Sequence, residues 1–167
     1  MPLSMYQASA PRFAHMLNAL AALLDKAEAH CAQRKIDPLA LTTYRLYPDM
    51  LPFVRQITIA CDTAKGAVAR LAGVEIPKHE DSEATFVELK ARISKTVAFI
   101  GTVQAAQVDG SEEKPITLKL RGGEVNFVGQ QYLLGFALPN FYFHATTAYA
   151  ILRHNGVELG KRDFLGG

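Results

Sequence analysis

Asn140 and His144 stand four residues apart in the run Asn140-Phe-Tyr-Phe-His144, and Thr147 follows three residues later. Successive residues of a helix turn by about 100°, so these three side chains share a face. An imidazole and an amide on one face can hold a divalent cation, line a pocket for a small molecule, or hydrogen-bond within a core. Zinc favours several imidazole or thiolate ligands. An amide oxygen suits harder cations, yet no carboxylate falls on this face. The same stripe carries Leu133, Phe136, Ala137 and Ile151, with His154 near its end. Leaving a buried polar group without a partner costs about 1–3 kcal/mol. Another side chain, water, a ligand or a metal must therefore satisfy Asn140, His144 and Thr147, and on the residues alone all three readings stand.

No other motif offers a ready chemistry. There is no Ser-His-Asp order, phosphate loop or paired-carboxylate pattern. Cys31 and Cys61 form neither a CxxC pair nor a zinc-ribbon spacing, and their apolar surroundings predict reduced core thiols. A formal charge of +2, from 18 basic and 16 acidic residues, gives no basic stripe for nucleic acid. No apolar run approaches the ~20 residues needed to cross a bilayer. The amino terminus lacks the basic and apolar regions of a signal peptide, so the expectation is a cytoplasmic protein.

The chain of 167 residues, 49% of them hydrophobic and 20% charged, suits a single domain spanning 1–167 with its own core. Apolar spacing predicts four helices. The first covers 4–32, with Ser4 as N-cap and a kink or late start at Pro11; His15 and His30 lie off its stripe, on the surface. A short helix over 39–45 precedes the second long helix, 50–72, which ends at Gly73. Gln56 borders its apolar stripe, and Asp62 and Lys65 read as a solvated pair. The third helix covers 82–107, capped by Asp81 or Ser82. Ile116, Leu118 and Leu120 then alternate with Thr117 and Lys119, and after Gly122-Gly123 so do Val125 and Phe127 around Asn126, which predicts a hairpin. The fourth helix covers 129–154 with a kink at Pro139, and the tail, 157–167, packs loosely through Leu159 and Phe164. The expected fold is all-α: a four-helix bundle with a small β-hairpin inserted between helices 3 and 4.

This order of elements resembles the DinB-like (YfiT-like) superfamily of bacterial four-helix bundles, and most of all an uncharacterised domain-of-unknown-function branch of it. The likeness is carried by Ser4-Met-Tyr-Gln-Ala-Ser, Tyr47-Pro-Asp-Met-Leu-Pro, Ala60-Cys-Asp-Thr-Ala-Lys65, the run from Leu134 to His144, and the run from Leu152 to Phe164. Metal-binding members of the superfamily place one histidine on the second helix and a HxxxH pair on the fourth, which ends in an Arg followed three residues later by Gly. With that ending at Arg153 and Gly156, the resemblance puts Asn140 and His144 at the paired positions and Gln56 on the second helix, two of three ligands being replaced. It thus implies a small-molecule-binding or interaction bundle with a degenerate metal site at Gln56, Asn140, His144 and Thr147. No resident cofactor is expected. The alternative is a zinc or nickel ion at His144 serving a thiol transferase or isomerase. Enzymatic activity is left open. The aromatic run 141–143 suggests a homodimer, and neither nucleic acid nor membrane is expected as a partner.

Overall fold

The computed structural model describes residues 3–120 and 122–167. Met1 and Pro2, part of the amino terminus discussed above, and Arg121 at the hairpin turn lie outside them. Ser4 caps a single turn, α1 (Met5–Ala8), by accepting from Gln7 N. The chain then breaks at Ser9, whose hydroxyl donates back to the Met5 carbonyl at 2.7 Å. Helix α2 (Ala10–Arg34) restarts with Pro11 in its first turn, where a missing N–H costs nothing. The late start expected from Pro11 is thus a full break.

Asp37 caps α3 (Pro38–Thr42), shorter than the 39–45 expected. Helix α4 (Phe53–Ala72) begins three residues later than expected because Pro52 is held extended, and it ends at Gly73 in the left-handed conformation (φ 74°) that glycine tolerates. The expected cap of the next helix is overturned. Helix α5 (Phe86–Thr102) starts at Thr85, which forms a capping box with Glu88. Asp81 cannot serve there because Arg55 and Arg92 hold its carboxylate. Extended Val103 ends α5, and a turn, α6 (Ala105–Val108), follows.

Strands β1 (Pro115–Leu120) and β2 (Gly123–Val128) pair antiparallel, with Ile116 opposite Phe127 and Leu118 opposite Val125. Ile116 and Leu118 are buried, whereas Val125 and Leu120 are exposed, so only β1 presents a regular inward face. The last helix is not continuous. A short α7 (Gly129–Gln131) passes into a π turn over Tyr132–Ala137 before α8 (Leu138–His154). The wide turn lies just before Pro139, where an α-helical ladder would lack a donor.

Helices α2, α4, α5 and α8 form the bundle around one core. Phe13 and Phe141 meet edge to face with centroids 4.9 Å apart, and Phe53 packs on Phe86. The tail is held by more than apolar contact. Lys26 pairs with Asp163 of α9 (Lys161–Phe164) at 2.6 Å, and His15 Nε2 bonds the Leu165 carbonyl at 2.8 Å, although His15 is exposed as expected.

Candidate functional site

The polar line of the last helix divides into separate arrangements. His144 is buried, and its Nδ1 lies 2.7 Å from Gln56 Oε1 on α4. Gln56 Nε2 donates to the Leu51 carbonyl at 2.9 Å, which fixes the amide orientation. With Oε1 facing the ring, Nδ1 must carry the proton, an assignment made from the network. Burial lowers the His144 pKa and keeps the imidazole neutral. The Asn140 side chain does not hydrogen-bond to that of His144. Its Nδ2 donates to Thr63 Oγ1 at 2.8 Å. Thr147, also buried, donates to the Phe143 carbonyl of its own helix. Moving from Asn140 to His144 along α8 moves from Thr63 back to Gln56 along α4, so the two helices run antiparallel across this seam.

The donor set here is sparse for a metal. His144 keeps only Nε2 free of Gln56, and Asn140, whose Nδ2 donates to Thr63, adds a single neutral amide oxygen. Among the described residues no group of three or more His, Cys, Asp or Glu side chains could hold an ion. One imidazole nitrogen and one amide oxygen fall short of the three or four ligands that zinc favours. The thiols offer no nucleophile either, since complete burial pushes Cys61 up to about 12 and burial also raises Cys31.

Asn140 instead lines a cleft of about 240 Å³ beneath the hairpin, with Asp62, Thr63 and Arg70 of α4, Leu118, Lys119 and Leu120 of β1, and Tyr132 and Phe136 of the π turn. Arg70 Nη1 donates to the Tyr132 hydroxyl at 3.2 Å, and the guanidinium carbon lies 5.9 Å from the ring centroid. Burial raises the Tyr132 pKa against the opposing Arg70 charge, so the phenol stays protonated. The π turn places Tyr132 and Phe136 with centroids 6.1 Å apart and rings nearly parallel.

One wall of the cleft is fixed by a buried charge network. Lys65 and Arg92 both bind Asp62 Oδ1, at 2.8 and 2.9 Å. The pair expected to be solvated therefore has a buried lysine, 4% exposed, because Arg92 draws it into a larger cluster. Arg92, itself buried, also reaches Asp81, both oxygens of Glu83, and the Glu80 carbonyl. Burial alone would lower the Arg92 pKa, and the Glu83 and Asp62 contacts outweigh it. Sequence reasoning missed Thr63, Arg70, Arg92 and Tyr132. An arginine on the apolar face of the third helix was the one available signal.

Over residues 5–165 the chain matches the family described as Domain of unknown function (DUF1993). It belongs to that family. A solved structure of a DinB family member protein from Shewanella denitrificans is 41% identical to this DinB-like chain, covers 97% of it and 92% of its own length, and superposes with a TM-score of 0.87. No curated protein matches the chain. The four-helix architecture with its inserted hairpin is thus the DinB-like fold, and no described helix is long and apolar enough to cross a membrane.

Proposed function

We propose that this protein is a small-molecule-binding bundle whose site is the cleft under the hairpin. In this reading, the position at which metal-binding relatives carry their ion has become a structural hydrogen bond. The observation that carries it is the convergence of Thr63, Asn140, Arg70 and the Tyr132 hydroxyl on one cavity beside the apolar Leu118 and Phe136. A few polar groups on an apolar wall are what orient a small ligand. Among the described residues the cleft shows no nucleophile with a base beside it, so the reading is binding rather than turnover.

Fragments of fewer than about 15 non-hydrogen atoms, neutral and charged, would test this by protein NMR. Ligands should perturb Leu118, Leu120, Tyr132 and Asn140 together. Perturbations centred on His144 would contradict the reading. So would stoichiometric zinc or nickel, in protein purified without tag or chelator, that disappears in His144→Ala.

The aromatic run of the last helix favours an accompanying self-association. Phe141 is core, whereas Tyr142 and Phe143 are 36% and 59% exposed. Exposed rings of this kind are enriched where two chains meet. Sedimentation should show a dimer that Phe143→Ser weakens, and a monomer at all concentrations would dismiss it.

A further inference from the structure

The cleft opens at Arg70 into a second cavity of about 670 Å³, lined by Lys65, Gly66, Ile76, Pro77, Lys78, His79 and Glu80, with Asp62 and Arg70 common to both. Resting on the cleft reading above, we infer that the ligand is a small organic acid, a carboxylate or phosphate monoester with an apolar or aromatic body. Arg70 binds its anionic group at the junction, and the body lies under the hairpin against Tyr132, Phe136 and Leu118.

Lys65 and Lys119 are paired with Asp62 and Glu124, and Lys78 lines only the outer cavity. Arg70 is thus the cation common to both cavities that carries no ion pair among the described residues. Asp62, the nearest acidic wall, is already engaged by Lys65 and Arg92. No carboxylate forms an ion pair with Arg70 or Lys78 among the described residues. A guanidinium without an acidic partner, half-buried in a cavity and steadied by a phenol, presents a planar fork suited to carboxylate or phosphate oxygens.

The backbone makes room for that arrangement. Gly66 lies inside α4, where glycine is a poor helix former. A Cβ there would lie 2.5 Å from Arg70 Nη1, so the glycine permits the arginine to fold back along its own helix towards Tyr132. His79 supplies the second polar group of the outer cavity. Its Nδ1 is buried and has no partner, which is uncommon for a ring nitrogen unless a ligand or water completes it. Burial, with Lys65 and Arg92 next, lowers the His79 pKa, and an incoming anion would relieve that cationic pressure. Glu80 stands exposed at the rim, and its charge suits the site to one anionic group rather than a polyphosphate.

The test is an NMR titration of the full chain with benzoate, phenyl phosphate, inorganic phosphate and benzyl alcohol, following the Arg70 Nε–Hε signal and the Leu118 and Leu120 methyls. Benzoate and phenyl phosphate should move both sets of signals. Whichever binds tighter identifies the anionic group. Arg70→Gln should weaken both acids by about tenfold or more, as expected for loss of a charge-assisted contact. Gly66→Ala should do the same while the protein stays folded. Binding of benzyl alcohol should change less than twofold in either variant. If benzyl alcohol binds as tightly as benzoate, or inorganic phosphate binds tighter than phenyl phosphate, the assignment of an organic acid fails while the cleft stands. If no probe moves any cleft signal, the cleft reading fails and this inference with it.

Discussion

Two polar patches lie on the α4–α8 side of the bundle, and they differ in how completely the protein satisfies them. At Gln56 and His144, the amide donates to Leu51 O and accepts from the imidazole, and the ring is buried. Two turns along α4, Thr63 and Asn140 bond to each other, but they border a cavity with Arg70 and Tyr132. The first patch resembles a core contact that happens to be polar. The second keeps at a cavity wall a cation, Arg70, with no ion pair among the described residues. The residue types that raise the suspicion of function are similar in both, and the closure of the hydrogen bonds separates structure from site.

The largest effect should come from removing the support of the open patch. Arg92→Ala strands Glu83 and leaves Asp62 to Lys65 and Asp81 to Arg55 alone. Breaking a buried ion pair costs about 3–5 kcal/mol. Here about 3 kcal/mol is expected, since Asp62 and Asp81 retain 40% and 43% side-chain exposure. Denaturant unfolding would measure it, and a loss below about 1 kcal/mol would mean that the network behaves like an ordinary surface cluster.

The closed patch should respond more mildly and only in stability. Gln56→Ala leaves the Nδ1–H of His144 unmet, at a cost of about 1–3 kcal/mol, with benzoate affinity unchanged within about twofold. Replacing both residues by leucine should recover part of the loss, because no polar group then remains unpaired. A double-mutant cycle in urea would show the coupling.

Acidity should separate the two groups of buried charges. His144 and His79 both have lowered pKa values when folded, so the unfolded chain takes up protons that the native state refuses. Their contribution to stability is complete above the ordinary value of 6.5 and is lost as pH falls below it. Asp81 has a depressed pKa through its bond to Arg55, so its contribution persists until pH falls below the ordinary carboxylate value of 3.8. Melting temperature should therefore decline from pH 8 to pH 5, and His144→Gln should flatten that slope. An unchanged slope would show that His144 titrates as freely in the native state as in the unfolded chain.

The smallest effect on stability has the opposite sign. Gly66→Ala should stabilise α4 by up to about 1 kcal/mol while displacing Arg70 and weakening acid binding. A destabilised variant would mean that Arg70 has nowhere else to go.

The bundle and hairpin were legible because their signals are local and periodic. The stripe from Phe53 to Leu71 and the alternation from Ile116 to Leu120 need no knowledge of other elements. Thr85 and Glu88 also carried a readable capping signature, but the acidic residues just before them competed for the role. The π turn left no such mark, since Tyr132–Ala137 looks like ordinary helix. The cleft was the least legible feature. It joins Arg70 to Tyr132, 62 positions away, and Thr63 to Asn140, 77 positions away. His144 stood out only because histidine on an apolar stripe is conspicuous, whereas arginine on a half-exposed face is not.

The most direct test compares the side-chain signals of the two patches in one sample. With saturating benzoate, the Arg70 Nε–Hε resonance should shift while the His144 ring nitrogens stay in place with Nδ1 protonated. A shift of the His144 nitrogens with Arg70 unmoved would contradict the account.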